Sequence, residues 1–449
     1  MYSCTRAATS SGVPAGAITT TMLAGGAVTT DKIANGAVKS AQFDDGGNAD
    51  FQAFQSVAQA AGGDTEVSFA DLVPAPVTNG GTATLSFTLN GKGLGAVVGF
   101  SGVEAISSPF TYLVQVQSSG SAGNPATKLG ALGVLTYTRN GRSTPFAGLI
   151  TGCALAGASS AGLLYTFKLE PRLAYLNLSS DYRVYQGFTV PDTATLLYQS
   201  LTADTLTRTL AASYSLHENL IQYDETALSF FNRQLEYEGI FYLFNQSASP
   251  PGLVLGDSAA AYLTGPESAF NYYGENATNY PAGAEVIRRF QQAAHAASLG
   301  SAAATYDFTS ASTLLATTTG ASGTGTNYEF GTAVKSPTYL GQLTQWRQDR
   351  QSVEAALSEG AATAPDLRAG YTFSVSDHTG AGLGGSYLVT SVHHAAFIRV
   401  TNGVSVVYYG NHFEAVPSSL TYRPPLRTPR PVALPCAASV TGPAGQSVY

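Results

Sequence analysis

Two groups of side chains in this sequence are candidates for metal binding or catalysis, and the first is rich in histidine. His393 and His394 are adjacent, His412 lies in a following strand-like run, and Asp377-His378 stands upstream. Imidazole and carboxylate groups are ordinary zinc ligands. Adjacent residues of a strand point to opposite faces, however, so His393 and His394 are poorly placed to bind one ion. We therefore interpret these residues as barrel or interface histidines and expect no metal site and no cofactor.

The second group is acidic and consists of Asp224, Glu225, Glu236 and Glu238. Glycosidases use two carboxylates that flank the scissile bond. Asp224 and Glu225 stand where a helix is predicted to begin, which favours the interpretation that they are helix-start residues. Glu236 and Glu238 lie near the end of the same helix, where the helix dipole disfavours anions. We expect these two glutamates to meet an arginine, in this chain or in a neighbour.

The remaining motifs predict no catalytic centre. No GxSxG sequence with plausible partners stands out, and no cysteine–histidine pairing is evident. The glycine-rich stretch at 380–386 lacks the Lys-Ser/Thr of a P-loop and favours a turn between strands. Cys4, Cys153 and Cys436 are far apart and odd in number, which indicates buried or stray thiols of a protein folded in a reducing compartment. We expect that the chain is not an enzyme.

The composition favours a subunit of a larger assembly. The chain has 449 residues, enough for about three domains. Only 11% of them are charged, against about 25% in ordinary proteins, and a charge-poor surface often faces other protein. The net charge of −7 excludes an obvious nucleic-acid surface. The N-terminus has no apolar core of a signal peptide and no run suits a transmembrane helix, so we expect synthesis in the cytoplasm and no stable membrane insertion.

The clearest secondary-structure pattern lies at 214–244, where the sequence predicts a strand, a helix that ends at a glycine, and a second strand. Leu228, Phe231 and Leu235 recur at helical spacing, which predicts a helix over 226–238. Gly239 suits a left-handed helix cap, and the apolar run IFYLF that follows is typical of a buried strand. The predicted helix should pack on both flanking strands.

The rest of the chain divides by composition into further segments. Residues 16–45 repeat GAITTTMLAG, GAVTTDKIAN and GAVKSAQFDD with a period of ten, either as a flexible polar leader or as a repeat that buries its thin apolar face against neighbouring copies. Asn140-Gly141 predicts a tight hairpin, and a helix is predicted at 343–358. The predicted domains are an N-terminal extension at 1–80, a β-barrel or sandwich at 81–180, a mixed α/β domain at 181–260, an irregular segment and loop at 261–340, a helix and strands at 341–422, and a proline-rich exit at 423–449.

The segment around the predicted helix resembles the hub of the VgrG spike proteins of type VI secretion systems and their phage-tail relatives. The resemblance covers roughly 84–449. Its residues are Gln222-Tyr223-Asp224-Glu225-Thr226, Phe230, Arg233, Leu235, Glu236, Gly239-Ile240, Tyr242 and Phe244; Gly102, Glu104, Ser107, Pro109, Phe110 and Tyr112; Phe146 and Gly148-Leu149-Ile150; Leu169-Glu170-Pro171, Leu176, Asp181, Arg183, Tyr185 and Gln186; Leu367, Gly370, Phe373, Asp377-His378, Tyr387 to Val392 and His394; Phe413 to Pro417, Tyr422 to Pro425 and Thr428 to Pro431. The repeat at 16–45 resembles those in shafts and collars of trimeric phage tail fibres.

The resemblance implies a mainly β fold with α+β parts. Each chain would hold two tail-tube-like β-barrels, at 81–180 and within 341–422, and a mixed α/β domain. Three chains would form a pseudo-sixfold ring that adapts a sixfold tail tube to a threefold spike, for envelope penetration and delivery of effectors or DNA. The implied partners are the tail tube protein, a spike OB-fold and β-needle, and baseplate proteins.

Two departures from the family pattern leave alternatives open. The sequence stops at Tyr449, where the spike OB-fold would begin, so the needle is either a separate polypeptide or has been removed. The N-terminal extension is absent from the basic pattern. The alternatives are a trimeric receptor-binding tail-fibre protein, suggested by 16–45, and an envelope-degrading enzyme.

Overall fold

The computed structural model describes residues 83–432, apart from 120–122, 160–161, 275–276, 278–280, 282, 309, 321–322, 333–335 and 402–403. The predicted extension with its repeat, Cys4, Cys436 and the end of the exit segment lie outside the described residues, so these predictions stay untested. Among the described residues, no helix is both long enough and apolar enough to cross a membrane.

The first six strands close into a barrel, because β1 pairs with both β4 and β2 and the order is β1-β4-β5-β6-β3-β2. The predicted hairpin at Asn140-Gly141 is confirmed: both residues have positive φ, and Arg139 pairs with Arg142 across the turn. Large aromatic side chains such as Phe100 and Phe167 fill the interior. The strands are β1 Ala83–Leu89, β2 Lys92–Ala105, β3 Ser108–Ser118, β4 Leu132–Arg139, β5 Arg142–Ser159 and β6 Gly162–Glu170.

A mixed α/β part follows, and its central helix lies where the sequence predicts it. Thr226 caps that helix by accepting a hydrogen bond from the Ser229 amide at 3.1 Å. Gly239 ends the turn beyond it with φ of 66°, which a β-branched residue resists. The elements are β7 Ser180–Tyr185, α1 Val190–Thr202, β8 Thr207–Thr209, β9 Leu220–Thr226, α2 Ala227–Tyr237, β10 Phe241–Asn245 and β11 Gly252–Gly256, with a 3₁₀ helix at Arg172–Leu178.

The packing of α2 corrects one detail of the prediction. Phe231 and Leu235 are buried, as expected, and pack with the strand that carries Tyr242. Ile221, however, is 49% exposed, because strand alternation turns Leu220 toward the core and Ile221 away from it.

The second half of the described chain contains a second closed barrel. It has the order β19-β18-β12-β13-β17-β20, closed by pairing of β19 with β20. The elements are β12 Leu263–Tyr272, β13 Val286–Gln291, β14 Gly300–Asp307, β15 Ser312–Thr319, β16 Thr326–Phe330, α3 Pro337–Ala355, β17 Ser358–Ala362, β18 Tyr371–Asp377, β19 Gly385–Thr401 and β20 Val404–Pro417. Antiparallel pairing of β2 with β19 joins the two barrels in one twelve-stranded sheet.

The prediction of an irregular segment at 261–340 is wrong. It contains β12 and β13 of the second barrel and a separate three-stranded sheet in the order β15-β14-β16. The second barrel therefore begins at Leu263. The sequence signals for strands are weak here for two reasons. The register shift between Thr264 and Ala269 interrupts the regular pairing of β12. The strand β14 consists largely of glycine, serine and alanine.

The third helix begins earlier than predicted. Ser336 caps it through the Tyr339 amide, and it ends at Ala355. Ser358, the last residue of the predicted helix, instead begins β17. The inner face of the three-stranded sheet packs on this helix through Leu314 and Ala316.

Candidate functional site

The candidate metal ligands of β18, β19 and β20 do not form a metal site in the described part of the chain. Among the described residues, no group of three histidine, cysteine, aspartate or glutamate side chains is placed to hold a metal ion. His393 and His412 are cross-strand partners in β19 and β20. His378 lies 3.0 Å from the Asn271 side-chain oxygen, and Asp377 accepts bonds that close the glycine-rich turn. The predicted turn at 380–386 is confirmed, with its last two residues entering β19.

His394 instead belongs to a buried ionic centre where the two barrels meet. Glu104 of β2 accepts hydrogen bonds from the Tyr112 hydroxyl at 2.7 Å and from the Arg368 guanidinium at 3.0 Å. His394 of β19 places Nε2 3.2 Å from the same carboxylate, and its Nδ1 lies 2.6 Å from the Tyr409 hydroxyl. The centre therefore draws on both barrels and on the segment that precedes β18.

The charges of this centre are fixed by their mutual contact. Burial alone would raise the pKa of Glu104, but the Arg368 guanidinium and His394 hold that pKa at about 2. Burial lowers the pKa of His394, which favours the neutral imidazole. The Arg368 guanidinium also lies 4.0 Å from the centroid of the Phe146 ring, a cation–π contact. A charged pair this well surrounded fixes the barrel junction, because removal of either partner would leave a buried charge unpaired.

A second ionic group joins the barrels near their hairpins. Arg142 of β5 forms ion pairs with Glu267 at 2.8 Å and with Asp366 at 3.1 Å, and a further short one with Glu285. Burial raises the pKa of Glu285 to about 7, with a contribution from the Asp366 charge. Thr144 of the same strand also donates to Asp366 at 3.1 Å. One arginine of the first barrel thus holds three carboxylates of the second.

A third group fixes the proline-rich exit segment to α2 and α3. The Glu236 carboxylate accepts hydrogen bonds from the backbone amides of Arg427 at 3.0 Å and Thr428 at 2.9 Å. Arg350 of α3 donates to the Pro424 carbonyl at 2.6 Å and to the Glu236 carbonyl at 2.9 Å. An arginine of the same chain, Arg350, thus contacts Glu236 at its backbone carbonyl, whereas the carboxylate binds backbone amides, which offset the unfavourable helix end.

The other acidic residues also differ from their sequence interpretation. Glu238, fully buried, lies 2.7 Å from His217 Nε2, not beside an arginine, and burial raises its pKa. Asp224 and Glu225 belong to β9, so neither opens the helix, and Glu225 pairs with Arg233 instead. Because the Glu238 carboxylate is inaccessible to solvent, a substrate cannot reach it.

The sequence alone does not reveal these groups as sites, because their members lie far apart along the chain. Glu104 and Arg368 are 264 residues apart, and Glu236 binds amides about 190 residues away. Glu104 is indicated only by the family resemblance, whereas His394 is also one of the candidate histidines of the sequence. The chemistry of the three groups supports a structural role. Two of them join the first barrel to the second, and the third joins the exit segment to the helices α2 and α3.

Two six-stranded barrels fused through one strand pair, with buried ionic groups that serve packing, define a structural β-barrel protein. Its family is shown by the sequence: residues 103–398 match the family described as phage tail baseplate hub (GPD), and the chain belongs to it. The resemblance to hub proteins is therefore confirmed.

Individual relatives agree with this assignment. The chain is 27% identical over 375 residues to the type VI secretion system spike protein VgrG4b of Pseudomonas aeruginosa, covering 79% of this chain and 46% of the relative. It is 28% identical over 380 residues to VgrG5 of that organism, covering 79% and 47%. The chain thus spans about half the length of the curated relatives it matches.

A solved structure shows the same fold. The E. coli c3393 protein, described as a type VI secretion component with structural similarity to the T4 bacteriophage tail proteins gp27 and gp5, superposes with a TM-score of 0.57. The match covers 78% of this chain and 81% of that chain at 23% identity.

Proposed function

We propose that this chain is the structural hub of a contractile injection machine, either a type VI secretion spike or a phage-like tail. The observation that carries the proposal is the pair of closed six-stranded barrels joined through β2 and β19. Three copies would place six barrels around one ring. Such a ring presents six similar units to a tail tube and three exit segments to a spike, which is how a closed homo-oligomer can adapt one symmetry to another.

The exit segment is the proposed connection to the spike. Arg423 donates to the Gly239 carbonyl at 3.0 Å and pairs with Asp349 at 3.2 Å. Together with the Glu236 and Arg350 contacts, this fixes the segment to both α2 and α3. A force along the exit segment would pass into these helices and then into the barrels, as a puncturing device requires. An OB-fold and β-needle, in this polypeptide or another, is the proposed partner below the ring.

We propose that the chain works by holding and not by turnover. The buried carboxylates of Glu104, Glu236 and Glu238 are engaged by side chains or backbone of their own chain. The test is an assay of the purified chain on peptidoglycan, with Glu236→Gln alongside. We expect no hydrolysis by either protein. Reproducible hydrolysis that the substitution abolishes would contradict this part of the proposal.

The hub role is tested by reconstitution with the cognate tail tube protein. We expect the chain to bind one end of the tube and to nucleate its growth, since the ring presents tube-like barrels. The test variant is Arg368→Met, which should weaken the barrel junction and therefore reduce nucleation of the tube. If the tube protein assembles equally well with and without the wild-type chain, the hub role is refuted. We propose that the protein is made in the cytoplasm and acts within the assembled apparatus.

A further inference from the structure

Two sheet faces of this chain break the usual pattern of apolar residues inside and polar residues outside. Antiparallel sheets with one face on the core normally present a polar face to water. The three-stranded sheet packs its inner face on α3, through contacts such as Glu329 with Arg347. Its other face, the outer sheet face, carries Tyr306, Leu315, Tyr328 and Phe330, which are 50–65% exposed.

The register of the three strands makes these side chains one continuous surface. Ala304 of the central strand pairs with Leu315 on one side and with Phe330 on the other. Ala302 pairs with Tyr328 in the same way. The alanines leave a flat floor between larger neighbours, and the remaining positions of this face are glycine and threonine, so it has no charged side chain.

The ribbon of β7 and β9 has the second such face. Its inner side is packed, because Tyr185 stacks on Phe230 of α2 at 5.7 Å. Its outer side, the ribbon face, carries Tyr182, Val184, Ile221 and Tyr223. Val184 and Ile221 are direct cross-strand partners, and the two tyrosine rings make an edge contact at 5.3 Å.

The composition of the ribbon face suits contact with protein. Val184 is 58% exposed and Ile221 49% exposed. Asp224, which follows Tyr223 in β9, lies at its margin.

The apolar area of the outer sheet face fits one side of an ordinary interface. Aromatic side chains bury about 150–250 Å² when fully covered, so the three aromatic residues and the leucine of the outer sheet face, each about half exposed, offer roughly 400 Å². A standard interface buries about 800 Å² per partner, of which a little over half is apolar. A patch of this size is comparable to the largest one on a typical monomer, about 300–600 Å², and such patches are often functional.

We infer that the outer sheet face of one copy packs against the ribbon face of a second copy. Two unlike apolar faces on one chain are what a head-to-tail contact needs, and such contacts close into rings when the rotation allows it. Neither face would have to desolvate a charge at its centre. The inference rests on the threefold hub proposed above and names the surfaces that would close its ring.

The test uses two full-length variants and a matched control. The sheet variant is Leu315→Lys with Tyr328→Lys, and the ribbon variant is Val184→Lys with Ile221→Lys. Each should weaken association at least about 30-fold, because the loss of a central hot-spot anchor costs about 2 kcal/mol or more, and 1.4 kcal/mol corresponds to a factor of ten. Leu129→Lys, which changes an exposed leucine outside both faces, should associate like the wild type. Native mass spectrometry gives the copy number.

Mixing the two variants distinguishes this contact from the alternatives. Each variant keeps one intact face, so an equimolar mixture should give a dimer of one sheet variant and one ribbon variant that does not grow. Trimers that persist in both variants would overturn the inference and leave the hub proposal standing. A mixture that stays monomeric would overturn it as well, and a monomeric wild type would overturn the trimer itself. Threonine at the same four positions, checked by circular dichroism melts, provides variants that keep strand propensity if the lysine variants do not fold.

Discussion

Glu104→Gln is nearly isosteric, yet the structure predicts that it lowers the free energy of unfolding substantially. The side chain keeps its shape but loses the charge that faces Arg368 in the barrel junction. The pKa of Glu104 is held at about 2 instead of 4.5, and each factor of ten in proton affinity corresponds to 1.36 kcal/mol, so the ionised form contributes about 3 kcal/mol. Loss of one partner from a buried ion pair gives a similar figure, about 3–5 kcal/mol.

The pH dependence supplies the sign of the effect. A carboxyl whose folded pKa is depressed stabilises the protein above its unfolded pKa, and this stability is lost as pH falls from about 4.5 to about 2. Denaturant unfolding at pH 7 and pH 3 should therefore show a smaller pH difference in Glu104→Gln than in the wild type. Glu218→Gln, at an exposed glutamate, is the matched control and should change little. If Glu104→Gln lowers the unfolding free energy by less than about 1 kcal/mol at pH 7, the reasoning is wrong.

Three further outcomes are expected from thermal and denaturant unfolding. Phe231→Ala should cost about 3–5 kcal/mol because it empties a buried site under α2, whereas Gln234→Ala on the same helix should be nearly silent; equal melts would contradict the packing. Gly239→Val should destabilise, because φ is 66° and a Cβ would lie 3.1 Å from Trp346 and Arg423 side-chain atoms; an unchanged midpoint would refute that cap geometry. The raised pKa of Glu285, about 7, favours its protonated form in the fold, so stability should fall by about 3 kcal/mol as pH rises from about 4.5 to 7, and Glu285→Gln should remove this fall; a variant with the same pH slope would contradict it.

Local signals in the sequence were sufficient where local physics decides the structure. Thr226, the helical spacing of Phe231 and Leu235, and Gly239 define α2, its cap and its end within a single stretch. Asn140-Gly141 likewise defines its hairpin. These elements could be predicted because their hydrogen bonds and caps involve neighbours in the chain.

Structure that depends on distant partners could not be predicted in the same way. The central strand β14 has few residues with strand propensity and is held by α3 and by two neighbouring strands. Glu236 is satisfied by the amides of Arg427 and Thr428, which no spacing in the sequence connects to it. The Glu104 centre also needs a residue 264 positions away. The fold class could be predicted from the alternating strand patterns and the family resemblance. The ionic groups could not, because their members meet only when both barrels have closed.

Electron cryo-microscopy of the purified chain is the sharpest test of the proposed trimeric hub. We expect a closed particle of three copies, each of 46.4 kDa, with six barrel-shaped densities around one ring and three exit segments on one side. A particle with any other copy number, or one in which the two barrels of each chain do not lie in a common ring, would contradict the claim that this chain is a hub.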